Sequence, residues 1–244
     1  MTMKRQNLRK LLLLFSFLFF PITLYYFSPA LVISGSFAGV AAGSLFVFLL
    51  QFAFSLMLGR AFCGWVCPAG GLQECWCAQA VNKPVRHKWV NAIKYVIWAP
   101  WLLTIVLGFV RAGGIKQVDF FYMTTGGVSV ADFAGLIIYL LLTLLVAVVA
   151  LAVGRRGMCH TLCWMAPFMV LGTRLKNLLH LPGLRLKAEP DACIQCGKCT
   201  AGCPMSLPVA EMVKAGKMQN DECILCGNCA DVCPKNALHL GFGR

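Results

Sequence analysis

Two twelve-residue runs, CIQCGKCTAGCP at 193–204 and CILCGNCADVCP at 223–234, share the spacing CxxCxxCxxxCP and agree at seven positions. Two-residue gaps let three successive thiolates bend around one inorganic cluster, while the fourth cysteine, followed by proline, is carried away to a second. The pattern predicts crossed ligation of two 4Fe-4S clusters. Cys193, Cys196, Cys199 and Cys233 bind one, and Cys223, Cys226, Cys229 and Cys203 bind the other. Structural zinc sites use two separated cysteine pairs instead. Gly197 and Gly227 permit a tight turn close to each cluster, and Ile194 and Ile224 can shield the clusters from water.

A second repeat is shorter. GRAFCGWVCPAG, from Gly59, and GRRGMCHTLCWMAP, from Gly154, place Cys63 with Cys67 and Cys159 with Cys163 in CxxxC pairs 96 residues apart, each pair three residues after an arginine, Arg60 or Arg156. Residues four apart share a helix face, so each pair is expected to present two sulfurs in one direction. Four such thiolates could hold a third iron-sulfur cluster; the bland alternative is small buried thiols without metal. The arginines read as positive anchors at a membrane surface that could also offset a cluster's charge. Cys75 and Cys77, in QECWCAQ, have no counterpart in the second repeat and receive no role.

The elements that must position these cysteines are apolar. Of 244 residues, 59% are hydrophobic and 13% charged, and mean hydropathy is +0.74, which excludes an ordinary soluble domain. Four runs approach the ~20 residues that cross a bilayer core: Leu11 to Ile33, Phe37 to Leu58, Ala92 to Val110 and Phe133 to Val153. Pro21 and Pro100 should kink their helices, and Lys94 should snorkel to the headgroups. The first run also fits a signal-peptide pattern, but its length favours a retained anchor. Lys4, Arg5, Arg9 and Lys10 precede the first run; Arg60, Lys83, Arg86 and Lys88 lie between the second and third; eleven more Lys and Arg follow Val153. The connections at 34–36 and 111–132 carry only Arg111 and Lys116. Both termini and the middle loop are therefore expected in the cytoplasm. All fourteen cysteines fall in those segments, where disulfides are rare.

The expected fold is an all-α polytopic module of four transmembrane helices in two parallel hairpin repeats, residues 1–183, followed by an α+β head, residues 184–244. Leu171, Leu175, Leu178 and Leu179 predict a helix lying on the bilayer surface, and VAEMVKAGKM predicts a short helix ending near Gly216. Met212 and Met218 read as packing. The formal charge of +13 comes without a basic stripe interleaved with aromatics, so nucleic acid is not an expected partner.

GRAFCGWVCP, four spans and the doubled CxxCxxCxxxCP together resemble the NapH family of membrane ferredoxins, quinol dehydrogenase subunits, and the related domain of NosR-type proteins. The resemblance implies a prokaryotic inner-membrane protein that passes electrons between quinol or quinone and a redox protein partner. Cys163 is followed by Trp164 where the family has proline, so the nitrate connection is not carried over. Haem is not expected, because His87, His160, His180 and His239 all fall outside the spans and CxxCH is absent. Quinol oxidation needs a proton acceptor; His160 is the first candidate and Glu74 the other ionisable group near the inner surface. A membrane-anchored redox sensor, or a metal reductase in metalloenzyme maturation, is the alternative reading.

Overall fold

The computed structural model describes residues 2–85 and 89–243, with side chains from Arg5 onward. Arg86, His87, Lys88 and Arg244 lie outside the described residues, as does the side chain of Lys4.

The run from Leu11 to Ile33 is not one helix. Helix Thr2–Leu18 gives way at Phe19 to the turns Phe20–Thr23 and Leu24–Phe27, and a separate helix Pro29–Ala38 follows. The segments Arg5–Leu18 and Phe20–Phe27 are bent by 56°. Pro21 lacks the N–H that the Phe17 carbonyl would accept, and its ring crowds that carbonyl. Pro29 instead opens its helix, where no donor is missed, and the Ser28 hydroxyl accepts from the Leu31 N–H at 3.4 Å. The kink expected at Pro21 is thus a break, and two prolines cut the run into pieces.

The second expected run also begins late. Gly39 is left-handed at φ 71° and ends the preceding helix, and Val40–Ala42 pairs in parallel with Gln117–Asp119. Only then does helix Gly43–Leu58 start, 16 residues long, short of the ~20 that span a hydrocarbon core unaided. Helices Val90–Ala112 and Phe133–Val153 are long and apolar enough to cross a membrane. The former continues through Pro100. The described residues therefore hold two helices of spanning length, or three if the bent pair counts as one.

The C-terminal head is closed by two antiparallel strands, Gly183–Ala188 and Leu238–Gly243, with Gly183 opposite Gly243. Both cysteine cassettes lie between them and repeat in backbone as well as sequence. Gln195 and Gly197 have φ of 54° and 73°; Leu225 and Gly227 have 49° and 74°. Each left-handed pair turns the loop back on itself and leads into a one-turn helix, Lys198–Ala201 or Asn228–Asp231. The helix expected between the cassettes runs Val209–Lys214, with Gly216 left-handed just beyond it.

Head and helices share one apolar core, in which Val32, Phe48 and Ile105 join Cys63, Cys199, Ile224 and Leu238. Helix Ala166–Leu178 links them. Its face of Met169, Val170, Gly172, Thr173 and Lys176 is buried, and Gly172 lies so close to Gly43–Leu58 that a Cβ there would meet Ser55 Oγ at 1.7 Å. Leu171, Leu175, Leu178 and Leu179 form the outward face of this segment.

Candidate metal centres

Each cassette encloses a small apolar cavity with the ligand set that crossed ligation predicts. One is lined by Cys223, Cys226, Cys229 and Cys203, with Leu186, Met205 and Leu240 among its walls. The other is lined by Cys193, Cys196, Cys199 and Cys233, walled by Ile194, Val213 and Leu238. Four thiols around a void with almost no other polar lining are a donor set for iron and sulfide. Burial pushes the Cys223 thiol up to about 11 and Cys226 up to about 12, and Cys229 is raised too. Metal-free, these groups are neutral at pH 7; binding a cluster removes their protons. The two centres differ in access. Cys226 and Cys229 are buried, whereas Cys196 is exposed.

The four cysteines of the two CxxxC pairs, expected at the membrane edge, belong to one buried core, though not as one continuous helix face on each side. Cys63 sits in the single helical turn Ala61–Trp65 and Cys159 in Gly157–Thr161. Cys67 and Cys163 lie past the ends of those turns. Both ends close alike: the Cys67 N–H donates to the Phe62 carbonyl and the Cys163 N–H to the Met158 carbonyl, each at 3.0 Å. Such six-residue closures wrap the chain instead of extending the helix. All four thiols are buried, at 8% exposure or less. Burial, then the neighbouring Cys63, Cys159 and Cys163, pushes Cys67 well up, and burial raises Cys163 to about 12. Among the described residues no three Cys, His, Asp or Glu side chains converge tightly enough for a single ion.

Around these thiols lie ion pairs that sequence reasoning missed. Arg60 pairs with Glu222 of the head, which also accepts from Lys94 Nζ at 2.7 Å through both oxygens. Glu74 pairs with Arg9 at 2.5 Å and with Arg156 at 2.6 Å. Arg60, Lys94, Arg9 and Arg156 are at most 2% exposed. Lys94 thus does not snorkel, and neither repeat arginine is a surface anchor: each is drawn inward by a carboxylate far away in sequence. Arg156 also donates through Nη1 to the Cys63 carbonyl at 2.6 Å, tying the second repeat to the first. Burial acts to raise Glu74, but Arg156 and Arg9 outweigh it and hold the carboxyl below its usual range.

The second head centre rests directly on the membrane-edge segment. A Cβ on Gly64 would lie 2.3 Å from the Ile224 carbonyl oxygen and 3.6 Å from the Cα of Cys226, and Trp65 Nε1 donates to the Leu225 carbonyl at 3.1 Å. Gln6 Nε2 donates to the Cys226 carbonyl at 3.0 Å, and Arg5 pairs with Asp231. Cys75 and Cys77 take no part. Cys77 packs with Leu72, Val146, Ala150 and Met158, and Cys75 faces the Lys10 carbonyl at 3.9 Å.

Against Cys163 lies an apolar cavity of about 290 Å³, with Cys163, Trp164 and Met165 forming one wall and Phe20, Leu24, Ile138 and Leu142 others. The break after Leu18 supplies part of this wall. His160 is outside the lining: its Nδ1 meets Asn91 Oδ1 at 2.6 Å, and Nε2 is buried without a partner among the described residues. Burial, then Lys94 and Arg60, lowers it to about 4. It is a neutral, internally held histidine at pH 7.

Comparison with known proteins agrees with the two cysteine regions. Residues 40–88 match the family described as a 4Fe-4S binding domain, and residues 185–234 match a 4Fe-4S dicluster domain. The chain is 24% identical over 205 residues to the "Putative electron transport protein YccM" of Escherichia coli, covering 75% of this chain and 52% of that protein. It is 26% identical over 168 residues to the uncharacterized protein MJ0750 of Methanocaldococcus jannaschii, covering 64% of this chain and 63% of that one. The chain thus spans about half to two thirds of the length of these relatives. No solved structure matches. The chain is a 4Fe-4S protein whose described residues include two helices of membrane-span length, or three if the bent pair counts as one.

Proposed function

We propose that this 4Fe-4S protein is a multi-pass component of the prokaryotic cytoplasmic membrane, with both termini cytoplasmic, passing electrons between the quinol/quinone pool and a redox protein partner. The apolar cavity walled by Cys163, Trp164 and Met165 carries the reading. It suits a ring with a hydrocarbon tail, and it adjoins the cysteine group nearest the apolar helices. From there the order of centres is membrane-edge thiols, the Cys203/Cys223/Cys226/Cys229 centre against Gly64, and the Cys193/Cys196/Cys199/Cys233 centre with its exposed Cys196. When bound, the head clusters accept and release single electrons. The chain's own residues hold them dry, fix their spacing and leave one end open to a partner. The electron-transport description of YccM supports the same activity, and the concentration of Lys and Arg on the head side supports the orientation. Four crossings would require the short Gly43–Leu58 helix to cross with help from its flanks.

The test is anaerobic protein in lipid vesicles, mixed with a menaquinol analogue and followed by paramagnetic resonance. Reduction of the clusters is expected, slowed about tenfold or more in Leu142→Trp, which fills the cavity, with iron content unchanged. Clusters that dithionite reduces but quinol does not would end the proposal.

A further inference from the structure

The carboxylates leave a residue of charge around the membrane-edge thiols. Arg60 and Lys94 share Glu222, and Arg9 and Arg156 share Glu74, so each buried group of three keeps one positive charge. The other acidic residues do not answer it. Asp221 pairs with Arg174 and Asp231 with Arg5. Asp119 and Asp132 belong to the loop at the far end of the helices, and Glu189, Asp191 and Glu211 to the head's own elements. After Glu222, the charge-bearing groups that act most on Arg60 are Cys63, Cys159 and Cys163; after Glu74, those acting on Arg156 are Cys159, Cys67 and Cys63. Among the described residues, Arg60 Nε and Nη2 are buried donors without a hydrogen-bond partner. Arg60 also acts on Cys223 and Arg9 on Cys226 of the adjoining head centre; uncompensated buried charge is strongly disfavoured, and an anion bearing about two charges on the four CxxxC thiols would compensate it.

We infer that Cys63, Cys67, Cys159 and Cys163 together hold one further iron-sulfur cluster, shared by the two halves, whose negative charge the two buried cation groups balance and whose reduction they favour over that of either head cluster. An oxidised 4Fe-4S core on four thiolates carries two net negative charges, which match the two left over. Reduction adds one electron and one more negative charge to the centre, and buried cations beside it stabilise that charge. The orphaned donors of Arg60 are available to cluster sulfur, which acts in the same direction. The match of residues 40–88 to a 4Fe-4S binding family bears on Cys63 and Cys67, while Cys159 and Cys163 come to the same site from outside it. The inference does not depend on quinol, because its test uses chemical reductants alone.

Full-length protein is purified anaerobically, reconstituted with iron and sulfide, and titrated electrochemically. About twelve irons are expected, with three components of which one is most positive. Cys63→Ser should remove that component and about four irons, leaving the head signals. Arg60→Gln or Arg156→Gln should move it to lower potential with iron retained, and Arg60→Lys should restore it. About eight irons in the wild type overturns the shared cluster. An unmoved potential in iron-replete arginine variants overturns the charge argument, as does a wild-type titration in which no component stands above the others. Should Cys63→Ser fail to accumulate, Cys196→Ser and Cys226→Ser must each spare the most positive component; its loss from either overturns the assignment.

Discussion

Glu74 places one carboxylate between two arginines with 2% exposure or less. Removing one partner of a buried pair costs about 3–5 kcal/mol because it strands the other charge. Glu74→Gln strands two, so its thermal midpoint at pH 7 should fall well below wild type. The pH dependence has a definite sign. Glu74 is held below its ordinary value of 4.5, so its contribution is complete above that value and is lost as pH falls through its lower folded value. The gap between wild type and Glu74→Gln should therefore narrow on acidification below about pH 4.5 and hold constant above pH 6; a gap that widens in acid contradicts this. The grouping of the head cysteines around two cavities was legible at this scale, because cysteine spacing is a local property. The partners of Arg60 and Arg156 were not. Glu222 stands 162 positions from Arg60 and Glu74 stands 82 from Arg156, and no local pattern distinguishes a charge that ends buried from one that anchors at a surface.

Among elements, Gly64 lets the Ala61–Trp65 turn approach the second cassette. Gly64→Ala would bring a Cβ to 2.3 Å from the Ile224 carbonyl, closer than any real contact, so the head must shift off the membrane-edge segment. Head iron should be retained, since no ligand changes, while electron passage from a membrane reductant to the head clusters slows; an unchanged rate by stopped-flow absorbance would contradict the docking role. The hairpin ends were partly legible. Matched arginine and cysteine spacing marked two equivalent positions, and both close with the same six-residue turn. The helical face expected for CxxxC did not form, because in both repeats the N–H of the second cysteine closes back to the carbonyl five positions earlier and ends the helical turn; in the first repeat Pro68 then opens the next turn. The first apolar run illustrates another limit. Hydropathy reports how greasy a stretch is, but Pro21 and Pro29 decide how many helices it makes.

For the whole molecule, the continuous core from Phe48 to Leu238 means that the head is held by the helices as well as by its own two strands. Its own secondary structure is a two-stranded sheet, three helices of four to six residues and a 3-10 turn. So small a unit draws folding energy from metal binding. Chelation of iron should therefore unfold residues 183–243, seen as rapid amide exchange there, while Val90–Ala112 and Phe133–Val153 stay protected; equal protection in both states would contradict it.

The exposed thiol of Cys196 sets an order of vulnerability. Oxygen and peroxide attack sulfur ligands according to thiolate character and access, and the other ligands lie deeper. In air the centre holding Cys196 should bleach first. The surface best placed to hand charge to a soluble acceptor is then also where corrosion begins, and a bound acceptor would act as its cap.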